Sequence, residues 1–488
     1  MTGTDTLVSR FKIELGGQLV AAISGACLIV ALARFLEPEA YGLLFFAISI
    51  LSVLMVATKL GIGRSAGRYL SEYKETDPTQ IPHIVRTSLL LNLGTIIVVG
   101  VGLLVGHRLL ADLVGEPELA PLLALGVAYV AFGTLTKYVR LVLQGFEAIE
   151  LAAIVHAIDR GGRLLFAIAL VVSGFGAAGA LGGYILGYVF ATGVGLGLIY
   201  TRYYRTVREV GPVEPNLRRR IAEYTVPLTA TSTANVVEKQ IDTVLVGFFL
   251  TPVAVSFYVI SKQVVEFVEK PATALGFTLS PTLGAEKASD NLDHAREIIE
   301  LALVKSLLLY VPAAVGLILV AEPTIHLVFG VEYAGAVPVL QILGVYAVFR
   351  TVTKVVGHGL DFMGRARDRA IVKGVTAALN VLLNVVLIPR IGVTGAAIAT
   401  VTTYGIFTAA NLYFVHAELG LRTGYLLRQI SLVAGVTVGM AAVVSFFLTY
   451  VSSALSLVVV VAIGAFVWGV LSVSTGLLDP NALISRVT

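Results

Sequence analysis

The chain has 488 residues, of which 57% are hydrophobic and 14% charged, with a mean hydropathy of +0.89. So much apolar sequence with so few charges to clothe it excludes a soluble globular core and makes the bilayer the solvent. The formal net charge of +4 is scattered over short segments rather than gathered on a domain able to hold a duplex, and the single cysteine, Cys27, excludes an intramolecular disulfide and a thiolate metal site.

At about 20 apolar residues per span, the sequence resolves into roughly fourteen helices. The first six cover 13–33, 41–62, 85–106, 119–139, 149–173 and 178–200. Arg10 and Lys12, ahead of an apolar run ending Ala31-Leu32-Ala33, imitate a secretory signal with a cleavage site. The expectation is nevertheless a retained span, because many apolar spans follow it and the Phe35 to Pro38 stretch beside it recurs later. A polar interruption, Thr201 to Arg220, carries Arg202, Arg205, Arg208, Arg218, Arg219 and Arg220. Beyond it six more spans cover 222–248, 253–283, 299–320, 335–356, 368–388 and 393–415, and two final ones cover 427–449 and 454–476. The expected organisation is an N-terminal six-helix lobe (1–200), a cytoplasmic basic linker (201–220), a C-terminal six-helix lobe (221–416), and two additional helices with the C-terminal tail (417–488).

The halves on either side of the linker echo each other. Phe35-Leu36-Glu37-Pro38 returns as Phe249-Leu250-Thr251-Pro252, Phe132 to Lys137 as Phe349 to Lys354, and Gly176-Ala177-Ala178-Gly179-Ala180 as Gly392-Val393-Thr394-Gly395-Ala396. Three matches in one order at nearly one spacing indicate an internal repeat, which in a membrane chain points to a secondary transporter. Charge orients it: with both termini in the cytoplasm, most of the 35 basic residues fall in cytoplasmic segments, and the outward loops keep only Arg34, Arg108 and Arg390.

Gly174-Phe175-Gly176-Ala177-Ala178-Gly179 matches a dinucleotide-binding fingerprint letter for letter. That chemistry needs a preceding strand and a βαβ unit, whereas this stretch falls at a turn between two spans. Its glycine phase continues through Gly183, Gly187, Ala191 and Gly195, a small residue every fourth position, which reads as close helix packing. There is no phosphate loop, no metalloprotease motif and no nucleophile elbow, so ATP hydrolysis and a membrane enzyme are both disfavoured. No cofactor or metal is expected.

Charges inside spans are costly, about 2.5–3.5 kcal/mol each on insertion scales, and face a cavity or a partner. Three clusters stand out. His156, Asp159, Arg160 and Arg163 share one face of a helix; Lys262, Glu266, Glu269 and Lys270 repeat that spacing before Pro271; and Glu238, Lys239 and Asp242 follow the polar run Thr229, Thr231, Ser232, Thr233 and Asn235. Two readings fit them. In one, Arg160, Arg163, Lys239, Lys262 and Lys270 receive an anionic headgroup, and Asp159, Glu238, Asp242, Glu266 and Glu269 bind coupling ions or neutralise those bases. In the other, the clusters are internal pairs such as Asp159 with Arg163, Lys262 with Glu266 and Glu266 with Lys270. His156 reads first as a packing residue, and Lys59 and Lys305 as bases snorkelling toward an interface.

Ala33-Arg34-Phe35-Leu36-Glu37-Pro38-Glu39-Ala40-Tyr41-Gly42, then Leu60-Gly61-Ile62-Gly63 and a basic segment, resembles the opening of polysaccharide-transport proteins of the O-antigen flippase type, within the multidrug/oligosaccharidyl-lipid/polysaccharide exporter superfamily. Asp242, Ser280-Pro281, Phe329 to Tyr333 and the run from Asn380 through Asn384 to Thr400 agree, so the likeness covers nearly the whole chain. The resemblance implies an all-α membrane fold of two six-helix lobes across a central cavity, plus two trailing helices. It also implies alternating access, with a lipid-linked oligosaccharide moved from the inner to the outer leaflet of the plasma membrane. The expected partners are that lipid, the surrounding membrane and polysaccharide assembly enzymes; a monomer rocking about the 201–220 linker is the expected form. A drug/cation antiporter and a lipid II flippase of the same superfamily are the nearest alternatives. A membrane glycosyltransferase or polymerase, or a scaffold of an assembly complex, is the alternative from another class.

Overall fold

In the computed structural model, which describes residues 22–207, 211–269, 292–362 and 364–478, every regular element is helical. Residues 13–21 of the first expected span, Lys270 and Ser280-Pro281 lie outside the described residues, as do the side chains of the polar run Thr229 to Asn235. The first helices are α1 (Ala22–Phe35), the described and shorter part of an apolar stretch, α2 (Pro38–Lys59), and, after the amphipathic α3 (Ile62–Thr76), α4 (Ile81–Val114), α5 (Leu119–Gly145), α6 (Ile149–Leu170) and α7 (Gly176–Ile199). The next six are α8 (Leu217–Phe249), α9 (Pro252–Val268), α10 (Leu292–Leu319), α11 (Ala336–Phe362), α12 (Ala366–Ile391) and α13 (Val393–Leu419). α14 (Thr423–Leu448) and α15 (Ala454–Ser474) complete the plan. Among the described residues, 10 stretches are long and apolar enough to cross a membrane, one of them, Ile149–Tyr204, being α6 and α7 together.

The residues divide into two compact units, Met1–Val255 and Ser256–Thr488. α8 packs on α2, α3 and α4 and so builds into the first unit. α3 is the element that hydropathy alone passes over. Ile62, Ala66, Tyr69, Leu70 and Tyr73 recur at helical spacing and are buried, while Arg64 and Arg68 are exposed. Leu60 (φ 36°) and Gly61 (φ 72°) are both left-handed and separate α3 from α2.

The second half of the linker is a strap seated on the first unit. His83 Nε2 lies 2.8 Å from the Gly211 carbonyl, Gln80 Nε2 donates to the Pro212 carbonyl at 2.9 Å, and the Glu214 amide donates to Gln80 Oε1 at 3.1 Å. Tyr73 donates to Glu214 and receives Arg220, and Ser65 donates to the Ile221 carbonyl at 3.0 Å. Leu217 and Ile221 join the buried cluster of Tyr73, Val142 and Ile199.

The internal repeat is visible as repeated bonding. On the α5–α7 seam Thr136 and Thr192 hydroxyls lie 2.9 Å apart and Thr192 donates to the Phe132 carbonyl at 3.3 Å. On the α11–α13 seam Thr353 and Thr408 lie 2.8 Å apart and Thr408 donates to the Phe349 carbonyl at 3.2 Å. Each seam carries an edge-on tyrosine pair, Tyr129 with Tyr188 at 5.4 Å and Tyr346 with Tyr404 at 4.6 Å. Gly176 (φ 53°, ψ −139°) and Gly392 (φ 68°, ψ −151°) open α7 and α13 in a conformation that side chains resist. The dinucleotide-like glycines thus form a helix-to-helix turn, with Gly174 at φ 89°.

In the second unit α10 anchors the trailing pair. Buried Glu300 accepts from Arg422 Nε at 2.8 Å, from its Nη2 at 2.6 Å and from its backbone amide at 2.6 Å. Lys305 Nζ donates to the Leu477 carbonyl at 2.5 Å, and Trp468 Nε1 to the Leu308 carbonyl at 2.9 Å. Lys305 is therefore a tie between α10 and the segment after α15 rather than a free snorkelling base.

Candidate functional site

The cluster on α6 divides into a closed pair and an open set. Arg163 donates through Nε and Nη2 to the two oxygens of Asp159, at 2.6 and 2.8 Å, and both residues are buried. Its guanidinium lies over Tyr188 at 4.1 Å and Tyr184 at 5.3 Å, both on α7. α7 approaches this closely because position 187 is glycine: a Cβ there would meet Arg163 Cγ at 2.7 Å and the Asp159 carbonyl at 3.0 Å. The internal-pair reading is realised for Asp159 and Arg163, whose bidentate contact already occupies the fork edge.

Arg160 differs. Half-buried on the same helix, its Nε is enclosed without a hydrogen-bond partner among the described residues, as is His156 Nδ1 one turn earlier. Around them stand further bases. His156 lies in Coulombic reach of Arg140 and Arg160, Lys137 of Arg64 and Arg140, and Lys59 of Lys137. The C-terminal ends of α2 and α5, the start of α3 and the N-terminal half of α6 thereby bring six basic side chains into one neighbourhood of the first unit. Lys137 itself is exposed. Such a set has surplus positive charge, and a guanidinium such as that of Arg160, with its Nε unpartnered, is chemistry suited to a phosphate. On α8, Asp242 is buried, Glu238 half-buried and Lys239 exposed.

In the second unit Lys262 lies 5.7 Å from the ring of Tyr258, and Glu266 is half-buried on the same helix. Glu269 is buried and bridges Arg350 at 3.1 Å and Lys354 at 3.7 Å, both on α11. Sequence reasoning counted Arg64, Lys137, Arg140, Arg350 and Lys354 with the cytoplasmic segments, because they fall in the last turns of the apolar windows or just beyond them. The repeat held a signal for two of them: Lys137 and Lys354 close the matching Phe132 to Lys137 and Phe349 to Lys354 blocks.

Comparison with known proteins adds the following. Residues 12–285 match the family described as polysaccharide biosynthesis protein, and residues 227–386 match the MatE family. The probable low-salt glycan biosynthesis flippase Agl15 of Haloferax volcanii is 25% identical over 184 residues, 38% of this chain and 39% of that protein. The probable flippase AglR of the same organism is 31% identical over 164 residues, 33% of this chain and 34% of AglR. The lipopolysaccharide biosynthesis protein WzxC of Escherichia coli is 26% identical over 381 residues, 76% of this chain and 71% of WzxC. The matched stretch thus spans less than half the length of the two Haloferax relatives. In fold, the chain resembles the lipid II flippase MurJ in an inward closed conformation, with a TM-score of 0.77 at 15% identity, over 94% of this chain and 97% of that one. It also resembles an inward-facing multidrug resistance MATE transporter of the MOP superfamily, with a TM-score of 0.70 at 14% identity, over 84% of this chain and 98% of that one.

Proposed function

The chain belongs to the polysaccharide biosynthesis protein family, and from that premise we propose that it is a flippase for lipid-linked oligosaccharides, polyprenyl or dolichyl (pyro)phosphate sugars. The single observation that carries this reading is the surplus of bases in the first unit, with Arg160 open while Arg163 is closed by Asp159. Arg160, with Lys137 and Arg140 beside it, takes the headgroup phosphate; the sugars occupy water and the lipid tail stays in the bilayer. Lys239, Lys262 and Lys270 complete the expected set, and Asp242, Glu238, Glu266 and Glu269 balance or couple the charge. The flippase and transporter names of the relatives support a transporter rather than an enzyme. The basic segments support a plasma-membrane topology with cytoplasmic termini, in which the Arg160 neighbourhood lies toward the inner leaflet. A monomer working by alternating access, supplied and drained by polysaccharide assembly enzymes, completes the proposal.

The test is the sidedness of lipid-linked oligosaccharide in sealed vesicles, read with a membrane-impermeant sugar-modifying reagent. Cargo stays on the inner face without the protein and reaches the outer face with it, but not with Arg160→Ala. Normal sidedness without the protein, in a strain lacking a redundant flippase, rejects the reading. A drug/cation antiporter is the second reading, favoured by the MatE match over residues 227–386; export of a cationic dye that survives Arg160→Ala would select it.

A further inference from the structure

The linker joins the two repeats in sequence, yet both of its described halves are fastened to the first unit. Tyr203 stacks on Phe146 with ring centroids 4.1 Å apart, and Tyr203, Tyr204 and Val207 pack against the cluster of Tyr73, Val142 and Ile199. After residues 208–210 the strap takes over. Gln80 and His83 hold Gly211, Pro212 and Glu214, and Arg220 bonds Tyr73 and pairs with Glu214 at 3.4 Å.

α8 continues the attachment. At its start Ser65 donates to the Ile221 carbonyl at 3.0 Å and Tyr69 to that of Arg220 at 3.3 Å, and Arg68 lies over the ring of Tyr224 at 4.2 Å. At its end a Cβ on Gly247 would meet the Phe46 ring at 2.5 Å, so α8 and α2 touch there with no room to spare. The break after α8 is seated on the same helix, since a Cβ on Gly42 would overlap the Pro252 carbonyl.

Along the chain, however, the break itself is free to turn. Leu250 leaves the helical region (φ −125°, ψ −141°), and its amide donates back to the Val246 carbonyl at 2.9 Å, closing α8. Thr251 opens α9 from the other side: its hydroxyl accepts from the Ala254 amide at 3.4 Å and its carbonyl from the Val255 amide at 3.2 Å. Pro252 has no amide with which to carry the α8 ladder across. Rotation between Leu250 and Thr251 therefore leaves both sets of caps intact, which is what a hinge at an element end requires. The compact units also part near this break and not at the linker, the first ending at Val255.

We propose that α8 moves with the first unit and that the joint between the units is the Leu250–Pro252 break, the 201–220 linker being a fixed fastening. Glu238, Lys239 and Asp242 then travel with the Arg160 neighbourhood. The proposal rests on the flippase reading for what the motion accomplishes, not for where it occurs.

Spin-label distances in nanodiscs test it, in the Cys27→Ser background, with and without polyprenyl phosphate. The labelled positions, Arg86 on α4, Arg219 on α8 and Arg428 on α14, are exposed. Arg86→Cys with Arg219→Cys is expected to give one narrow distribution that polyprenyl phosphate leaves unmoved. Arg219→Cys with Arg428→Cys is expected to give a broad or two-population distribution that it reweights. A first pair that spreads or shifts, or a second pair as narrow and fixed as the first, overturns the proposal.

The sidedness assay gives a second readout. Joining Gln80→Cys to Glu214→Cys with a reducible thiol cross-linker should keep the flipping rate within about twofold of the uncross-linked protein. Thr251→Ala with Pro252→Ala, which favours one continuous helix, should slow flipping about tenfold, while Pro252→Gly should not. Flipping lost on cross-linking and recovered on reduction makes the linker the joint. Wild-type flipping in the Thr251→Ala/Pro252→Ala protein removes that role from the break. If the wild type moves no oligosaccharide while both label pairs behave as expected, the flippase reading fails and the joint stands.

Discussion

Arg160 and Arg163 stand three residues apart on α6 and are held differently. Arg163 is a buried cation with a bidentate partner, so Asp159→Asn or Arg163→Gln leaves an uncompensated charge and should lower stability by about 3–5 kcal/mol. The check is the thermal midpoint in detergent, where Arg160→Gln should shift it far less while abolishing headgroup binding. The sequence placed both arginines on one helical face but did not separate them. What separates them is on α7, where Gly187 and Tyr188 admit and cover Arg163. A second residue-scale prediction concerns acid. Asp77 accepts from Thr79 Oγ1 at 2.6 Å, from the Thr79 amide at 3.1 Å and from Gln80 Nε2 at 3.3 Å, and these bonds, the Thr79 hydroxyl first, hold its carboxyl below the ordinary value. A folded value below the unfolded one means that the stabilisation is present above the unfolded value and is lost as pH falls through the folded one. Because Gln80 also grips the strap, protease nicking of residues 211–216 should rise in that acid window in the wild type, and show no such step in Asp77→Asn.

Among the elements, the α6–α7 pair shows what the four-residue glycine phase does. A Cβ on Gly183 would meet the Ala167 amide nitrogen at 2.2 Å, whereas one on Gly193 meets nothing within 4 Å. Gly183→Ala should therefore cost about 1–3 kcal/mol, and Gly193→Ala should leave the thermal midpoint unchanged or raise it. The stripe was legible in the sequence because periodicity alone defines it. α3 was missed: its apolar stripe has the 3.6-residue period, but hydropathy windows average it away against Arg64, Arg68, Glu72 and Lys74. The docking of α14 was not legible, since Glu300 and Arg422 are far apart in sequence and meet only through the packing of α10 on α14. Glu300→Gln should loosen that junction by about 1–3 kcal/mol, read as faster proteolysis between Leu419 and Thr423 with the first unit intact.

For the whole molecule, the doubled plan was readable because duplicated spans keep their turn glycines and seam threonines. Which bases lie together was not, because α2, α3, α5 and α6 gather them from distant parts of the chain. Topology gives a direct check. With Cys27→Ser as background, a cysteine at Arg108 should react with an impermeant thiol reagent from outside intact cells, and one at Arg205 only after permeabilisation. The strap also bears on how the chain is made. Leu217 and Ile221 fill the same apolar cluster as Tyr73, Val142 and Ile199. The ribosome delivers them only after α2 to α7 have already been handed to the insertion machinery. The first unit is thus obliged to wait, inserted but with an open notch on that face, until the start of α8 arrives. A nascent chain released at residue 207 should be recognised and degraded by membrane quality control, while one released at residue 249 carries its own plug and should persist.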